Sequence, residues 1–270
     1  MRGPALRGLG VLSGWGRGAA ALPEDARVAA AGRPVVSLGR PAREGERWRR
    51  ATREGLLGLA AVEAALEDAG AERAAIAGAG TALVYVTAAA YGPSNRRFIE
   101  GAGGSIHFAE TAPAVAPAEV SIELGISGPY MILLGGPPAT LRAIGHAAML
   151  LETAACDRAL VLAVEIFDEC ADLYARAGRL AGRPLVEAAA CLWLERGDGV
   201  LRLGAGAKSP EALALRRRLG ETFACEPLLA LDCWRRRSPV GTLELTGRWR
   251  GEATRLTWTD ALAEASATAA

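Results

Sequence analysis

Histidine is scarce. The 270-residue chain has two, His107 and His146, and residues 197–270 contain none. A metal centre needs several convergent His, Cys or carboxylate ligands, and these two imidazoles lie too far apart in sequence to begin one. His107 falls in the glycine-containing loop Gly101–Ala112, where a surface position is expected. His146 falls on a helix, roughly opposite its Leu141/Ile144 stripe, where a packed or hydrogen-bonded position is expected. The five cysteines (Cys156, Cys170, Cys191, Cys225, Cys233) are odd in number and follow neither a C-x-x-C nor a zinc spacing. Buried free thiols in a reducing compartment are the expectation. An excess of one charge is also missing: 31 basic and 30 acidic side chains leave +1. That balance gives no electrostatic case for nucleic acid or an acidic membrane as a partner. The local clusters Arg216–Arg218 and Arg235–Arg237 are expected to be solvated helix or loop faces. No apolar run reaches the length of a membrane span, and no signal-peptide pattern opens the chain. A cytoplasmic location follows as the default expectation.

What the chain does have is small and aliphatic residues. Thirty-three glycines and 51% hydrophobic residues, with only 5% aromatics, suit helices packed closely on a sheet. Ala5–Ser13 reads as the first strand. Its Gly8-Leu9-Gly10-Val11-Leu12-Ser13-Gly14 superficially suggests a dinucleotide loop, but the glycine spacing is wrong and no helix opens after it. Gly32–Gly45 reads as a loop. Glu46–Ala69 reads as one helix, with Trp48, Thr52, Leu56, Leu59, Val62 and Leu66 buried and Gly70 as its stop. Further strands are expected at Ala82–Thr87, Arg158–Ile166 and Arg183–Glu195. Helices are expected at Ser94–Ile99, Pro117–Leu124, Asp168–Ala177 and Pro210–Leu219. Thr242–Thr246 and Thr254–Thr259 alternate as the arms of a hairpin do. Strands interleaved with helices make the class α/β. Glu165, Asp168 and Glu169 gather at a strand end; a solvated helix N-terminus is their expected use rather than a catalytic carboxylate pair.

Residues 128–146 organise the rest. Tyr130, Met131, Ile132, Leu133 and Leu134 form an apolar run that reads as a short, fully buried strand. Gly135 and Gly136 make a tight turn, and Pro137 and Pro138 stand where a helix begins. The helix is expected to start near Pro138 and end near Glu152. Strand, tight turn and helix make the shape of a nucleophile elbow, yet its tip carries no nucleophile.

This stretch resembles the active-site segment of the β-ketoacyl synthases, condensing enzymes of the thiolase fold. Gly128-Pro129 and Ala143-Ile144-Gly145 match the two ends of that segment without a gap. The family's cysteine nucleophile then falls on Pro137. The opening strand, Cys156-Asp157-Arg158-Ala159-Leu160-Val161 through Glu165, and Arg183-Pro184-Leu185 through Glu195 are similar to further family segments in the same order. The resemblance runs from about Ala5 to Arg196. It implies a layered fold with helices around a mixed five-stranded sheet and a truncated second half. The division expected is residues 1–196 as the ketoacyl-synthase N-terminal-like domain and residues 197–270 as a shortened extension packed on it.

Proline offers no thiol, hydroxyl or N–H for attack or oxyanion stabilisation. The family's two catalytic histidines have no counterpart either. The resemblance thus implies a non-catalytic subunit of chain-length-factor type that pairs with an active condensing enzyme of fatty acid or polyketide biosynthesis. Tyr130–Leu134 would be its interface strand. Homo- or heterodimerisation with a full-length ketoacyl synthase is implied, with an acyl carrier protein as a further partner and no cofactor or metal. The alternatives are a stand-alone acyl or small-molecule binding homodimer, and an acyl-thioester enzyme, such as a thioesterase or acyltransferase, with chemistry relocated to Cys156, Cys170 or an Asp/Glu carboxylate.

Overall fold

The computed structural model describes residues 2–101, 108–173, 176, 182–206, 210–237 and 241–259. Its strands are β1 (Arg2–Ser13), β2 (Gly16–Arg17), β3 (Val35–Val36), β4 (Thr81–Thr87), β5 (Tyr130–Leu134), β6 (Arg158–Glu165), β7 (Leu185–Val186), β8 (Ala188–Ala205), β9 (Thr242–Trp249) and β10 (Glu252–Thr259). Its helices are α1 (Ala26–Ala30), α2 (Glu46–Arg50), α3 (Arg53–Asp68), α4 (Gly92–Ile99), α5 (Val115–Leu124), α6 (Pro137–Glu152), α7 (Pro210–Leu219) and α8 (Glu226–Arg237). The main sheet runs β2-β1-β8-β6-β4-β5. The mixed five-stranded sheet implied by the resemblance is its centre: β4 is parallel to β5 and β6, while β8 is antiparallel to β6 and β1. The β9–β10 hairpin extends it. β6 pairs with β8 from Ala188 to Glu195, and β10 pairs with it from Val200 to Ala205.

The central strands are apolar on both faces because both faces are covered. Side chains alternate along a strand. Leu83, Tyr85, Leu160, Leu162, Ala189, Cys191 and Trp193 therefore pack with the Leu57, Leu59, Val62 and Leu66 side chains of α3. Val84, Val86, Val161, Ala163, Ala190 and Leu192 face the Leu141, Ile144 and Ala147 side chains of α6. The glycines of the first strand serve this packing and not a phosphate. A Cβ on Gly8 or Gly10 would lie 2.2 Å from the carbonyl oxygen of Ala65 or Ala61, so α3 rests directly on the β1 backbone.

Several elements depart from the sequence expectation. The helix expected over Glu46–Ala69 is two. Ala51 is extended, and the Thr52 hydroxyl accepts from Gly55 N–H to cap α3 while donating to Glu119. Trp48 is half-buried beneath the guanidinium groups of Arg43 and Arg47. The loop at Gly32–Gly45 contains β3, which pairs in parallel with β7. The strand expected at Arg183–Glu195 breaks at Glu187 and then runs on to Ala205. The Glu187 carboxylate, fully buried, pairs with Arg53 and accepts from Leu38, Phe167 and Asp168 N–H at 2.7, 2.7 and 2.8 Å. The helix expected at Asp168–Ala177 opens as a 3-10 turn over Asp168–Cys170, and part of the remaining span lies outside the described residues. Helix α3 ends as expected at Gly70, with Gly70 N–H on Glu67 O and Ala71 N–H on Leu66 O.

The arginine clusters are solvated in part, as expected, with Arg217, Arg236 and Arg237 exposed, but most of their guanidinium groups are also tied down. Arg216 pairs with Glu226, Arg217 with Asp25, Arg235 with Asp68 and Arg236 with Asp232, while Arg218 donates to Leu22 O and Pro23 O. These bonds hold α7 and α8 to each other and to residues 22–25 and 68.

Candidate functional site: a glycine–proline elbow beside an open sheet edge

β5 is the last strand of the sheet. It pairs with β4 through the register Leu83↔Tyr130 to Thr87↔Leu134, and no described strand pairs with its other edge. The expectation of full burial is therefore corrected. Met131 and Leu133 pack toward α6 and Ile132 toward α3, all three half-buried, while Tyr130 and Leu134 are 46% and 57% exposed. A terminal strand covered by one neighbour leaves its outer side chains in water.

The chain then turns sharply. Gly135 N–H donates to Thr87 O at 2.9 Å, and Ala139 N–H donates to Gly136 O at 2.9 Å. Pro137 and Pro138 take the first helical positions, where a missing N–H breaks no helical bond. α6 thus begins one residue before the expected start and ends at Glu152 as expected. Gly136, Pro137 and Pro138 are all buried. At the tip, two successive residues, Pro137 and Pro138, lack both a reactive side chain and an N–H donor. Thr140, one turn on, is fully buried and donates to Ala224 O at 2.6 Å.

The surrounding groups are similarly committed. Glu165, fully buried, accepts from Ala88, Ala89 and Ala224 N–H at 2.6, 3.0 and 3.2 Å and from the Thr87 hydroxyl at 3.3 Å. Burial pushes its carboxyl up to about 8, against hydrogen bonds that favour the ionised form. Asp168 and Glu169 are exposed, so the three do not form a carboxylate pair, and Glu165 is not solvated as expected. All five cysteines are free and buried, as the sequence implied. Burial pushes every one of their thiols above the ordinary range, away from the thiolate a nucleophile needs. His146 is half-buried on α6, and His107 lies outside the described residues.

Sequence reasoning missed what lies over the elbow. Gly247 of β9 sits on Pro137, Trp249 sits on Gly136, and Phe223 and Phe167 continue the layer. The available signal was a glycine and a tryptophan two apart in an alternating strand, which places both on one face. A cavity of about 460 Å³ between α7, α8 and β9, lined by Leu215, Trp234, Leu243 and Leu245 among others, includes no elbow residue.

The family model for the β-ketoacyl synthase N-terminal domain matches residues 41–178, and the chain belongs to that family. No curated protein sequence matches it. Among solved structures, a β-ketoacyl synthase from Burkholderia phymatum STM815 is 13% identical with a TM-score of 0.71, covering 96% of this chain and 99% of that one. The ishigamide ketosynthase/chain length factor is 15% identical, TM-score 0.71, covering 95% and 98%. A type II PKS acyl-carrier protein in complex with its ketosynthase gives 14%, 0.73, 96% and 99%. The fold is thiolase-like, that of the ketosynthases.

Proposed function

We propose that this chain is a non-catalytic, ketosynthase-like subunit of chain-length-factor type. It pairs through β5 with an active condensing enzyme in fatty acid or polyketide-type biosynthesis. The observation that carries the reading is the coincidence of two features on one element: among the described residues β5 presents an open apolar edge, and it leads into an elbow where Pro137, with neither thiol nor N–H, takes the first helical position. The likeness to a ketosynthase/chain length factor supports a ketosynthase partner, and the likeness to a ketosynthase–carrier complex supports an acyl carrier protein as a transient one. Residues 1–196 are read as the ketoacyl-synthase-like unit. Residues 197–270 are read as an extension that shares β8 with it and lays the β9–β10 hairpin on its elbow.

Covering a strand edge together with its apolar side chains requires a large interface, on the order of 2,000 Å² or more for an obligate pair. Co-expression with a full-length ketoacyl synthase, followed by sedimentation at low micromolar concentration, tests the reading. A stable one-to-one complex is expected. A homodimer that ignores the synthase would favour the stand-alone binding reading, and a soluble monomer would remove both. The purified chain is also expected to take up no acyl group from an acyl thioester by mass spectrometry. An adduct on any cysteine would favour a relocated nucleophile.

A further inference from the structure

The elbow is closed a second time, by side chains that do not depend on which residue occupies position 137. β9 crosses the first turn of α6. A Cβ on Gly247 would come within 2.8 Å of the Cβ and carbonyl carbon of Pro137, so this strand lies flat on the elbow. A Cβ on Gly136 would lie 2.5 Å from the Cδ2 and Cε3 atoms of Trp249, so the indole fills the space above the turn. The ring centroid of Phe223 is 4.8 Å from that of Trp249, and the centroid of the fully buried Phe167 is 5.0 Å further, both in edge-on arrangements. Phe223 adopts φ 43°, a left-handed conformation that non-glycine residues rarely take. The packing around it must therefore over-determine its position.

The hairpin that delivers Trp249 is firmly seated. Its two turn residues, Arg250 and Gly251, have φ of 45° and 88°, the positive pair that a type I′ hairpin requires. Arg250 stacks over the Trp249 ring at 5.7 Å. On the facing arm Trp258 is fully buried and donates to Pro4 O at 3.2 Å.

We propose that Trp249 is the residue that excludes acyl groups from this subunit. Its indole, backed by Phe223 and Phe167, occupies the apolar space at the elbow that an acyl chain would need, so a growing chain is held by the condensing partner. The inference rests on the partner-subunit reading above, but it concerns this chain's own interior.

The test uses a thiol as a reporter. Pro137→Cys is made alone, with Trp249→Gly and with Trp249→Phe, and alkylation by iodoacetamide is followed by mass spectrometry. The five native thiols give little background because all are buried. The single variant should react slowly, Trp249→Gly should accelerate the reaction roughly tenfold or more, and Trp249→Phe should fall between. Equal rates in the single and Gly-containing variants would overturn the proposal. A second readout needs no new thiol. Free indole should raise the melting temperature of Trp249→Gly and leave the wild type unchanged. If Pro137→Cys fails to fold, this measurement alone decides. Thermal stabilisation of the wild type by decanoyl-N-acetylcysteamine would also overturn the proposal. Pairing with a synthase while the single variant reacts quickly would sink the plug and keep the subunit reading. A monomer whose single variant reacts slowly would do the reverse.

Discussion

Among the described residues three strands of the sheet, the two-residue β2 and the longer β5 and β9, pair on one side only, and the two longer ones are built on opposite plans. β5 offers Tyr, Met, Ile, Leu and Leu with no charge. β9 alternates: Leu243, Leu245 and Gly247 are buried, while Glu244 and Arg248 point out into solvent. An unpaired strand edge is a template for another chain, and soluble proteins guard such edges with charge. β9 is guarded and β5 is not. The difference teaches that β9 is built to remain a surface, while β5 is suited to being covered.

The largest effect is expected from placing β9's device on β5. Ile132→Lys puts a charge at the middle of the open strand, where pairing would bury it without a partner at a cost of several kcal/mol. The complex formed by the wild type at low micromolar concentration should dissociate to monomer or be lost to aggregation, as read by sedimentation. Leu133→Glu should do the same from the α6 side. Unchanged association of both soluble variants would show that β5 is not the contact.

The reverse exchange should have a smaller effect. Replacing Glu244 and Arg248 by valine removes the two outward charges of β9 and leaves its buried positions intact. New cross-strand apolar pairs contribute roughly 0.2–1 kcal/mol each. A concentration-dependent species larger than the wild-type complex should therefore appear in the upper micromolar range. If it does not, charge is not what keeps β9 single.

How much of this contrast could be read in the sequence depends on range. The run Tyr130–Leu134 declares a strand, and the glycine and proline pairs after it declare a turn and a helix start; each signal lies within a few residues of what it determines. Whether that strand is central or terminal is decided by which strands pair, so the sequence reading buried it and the sheet exposes it. α8 was missed for a related reason. Its buried Leu228, Leu229 and Leu231 lie between Glu226 and the Arg235–Arg237 cluster, and the charges read as solvent until Asp68 is brought to Arg235 and the Ala19 N–H to Asp232 from elsewhere in the chain. Likewise the proline pair at the turn is legible in the sequence itself, but the Trp249 cover depends on a contact between residues more than a hundred positions apart.

The two sides also differ in how they hold buried acid, and this predicts the smallest effect. Near β5, Glu54 in the first turn of α3 is 5% exposed, and burial, reinforced by Glu119, Glu169 and Glu110, pushes its carboxyl up to about 7. Glu119 lies on α5, the helix whose N-cap residue Ala114 offers the carbonyl that accepts the Tyr130 hydroxyl at 3.4 Å. Near β9, Glu226 is also raised to about 7 by burial, but Arg216 stands 2.7 Å away and pulls it down. A carboxyl whose folded-state pKa lies above its unfolded value keeps a proton that the unfolded chain has already released. Its contribution is fully present below about pH 4.5 and is lost as pH rises through about 7. Stability should therefore fall from about pH 5, by at most about 1.4 kcal/mol per pH unit for each such group, with Glu54 and Glu226 contributing up to about pH 7 and the buried Glu165, raised to about 8, carrying the fall on to about pH 8. Glu54→Gln keeps the shape, removes the titration and should flatten this fall in urea melts taken at several pH values. Glu226→Gln should flatten it less clearly, because it also leaves Arg216 buried without its partner. A wild type equally stable at pH 5 and 7, or a Glu54→Gln chain with an unaltered slope, would show that water or a rearranged neighbour already compensates Glu54, and the contrast between the two sides would then reduce to their edges alone.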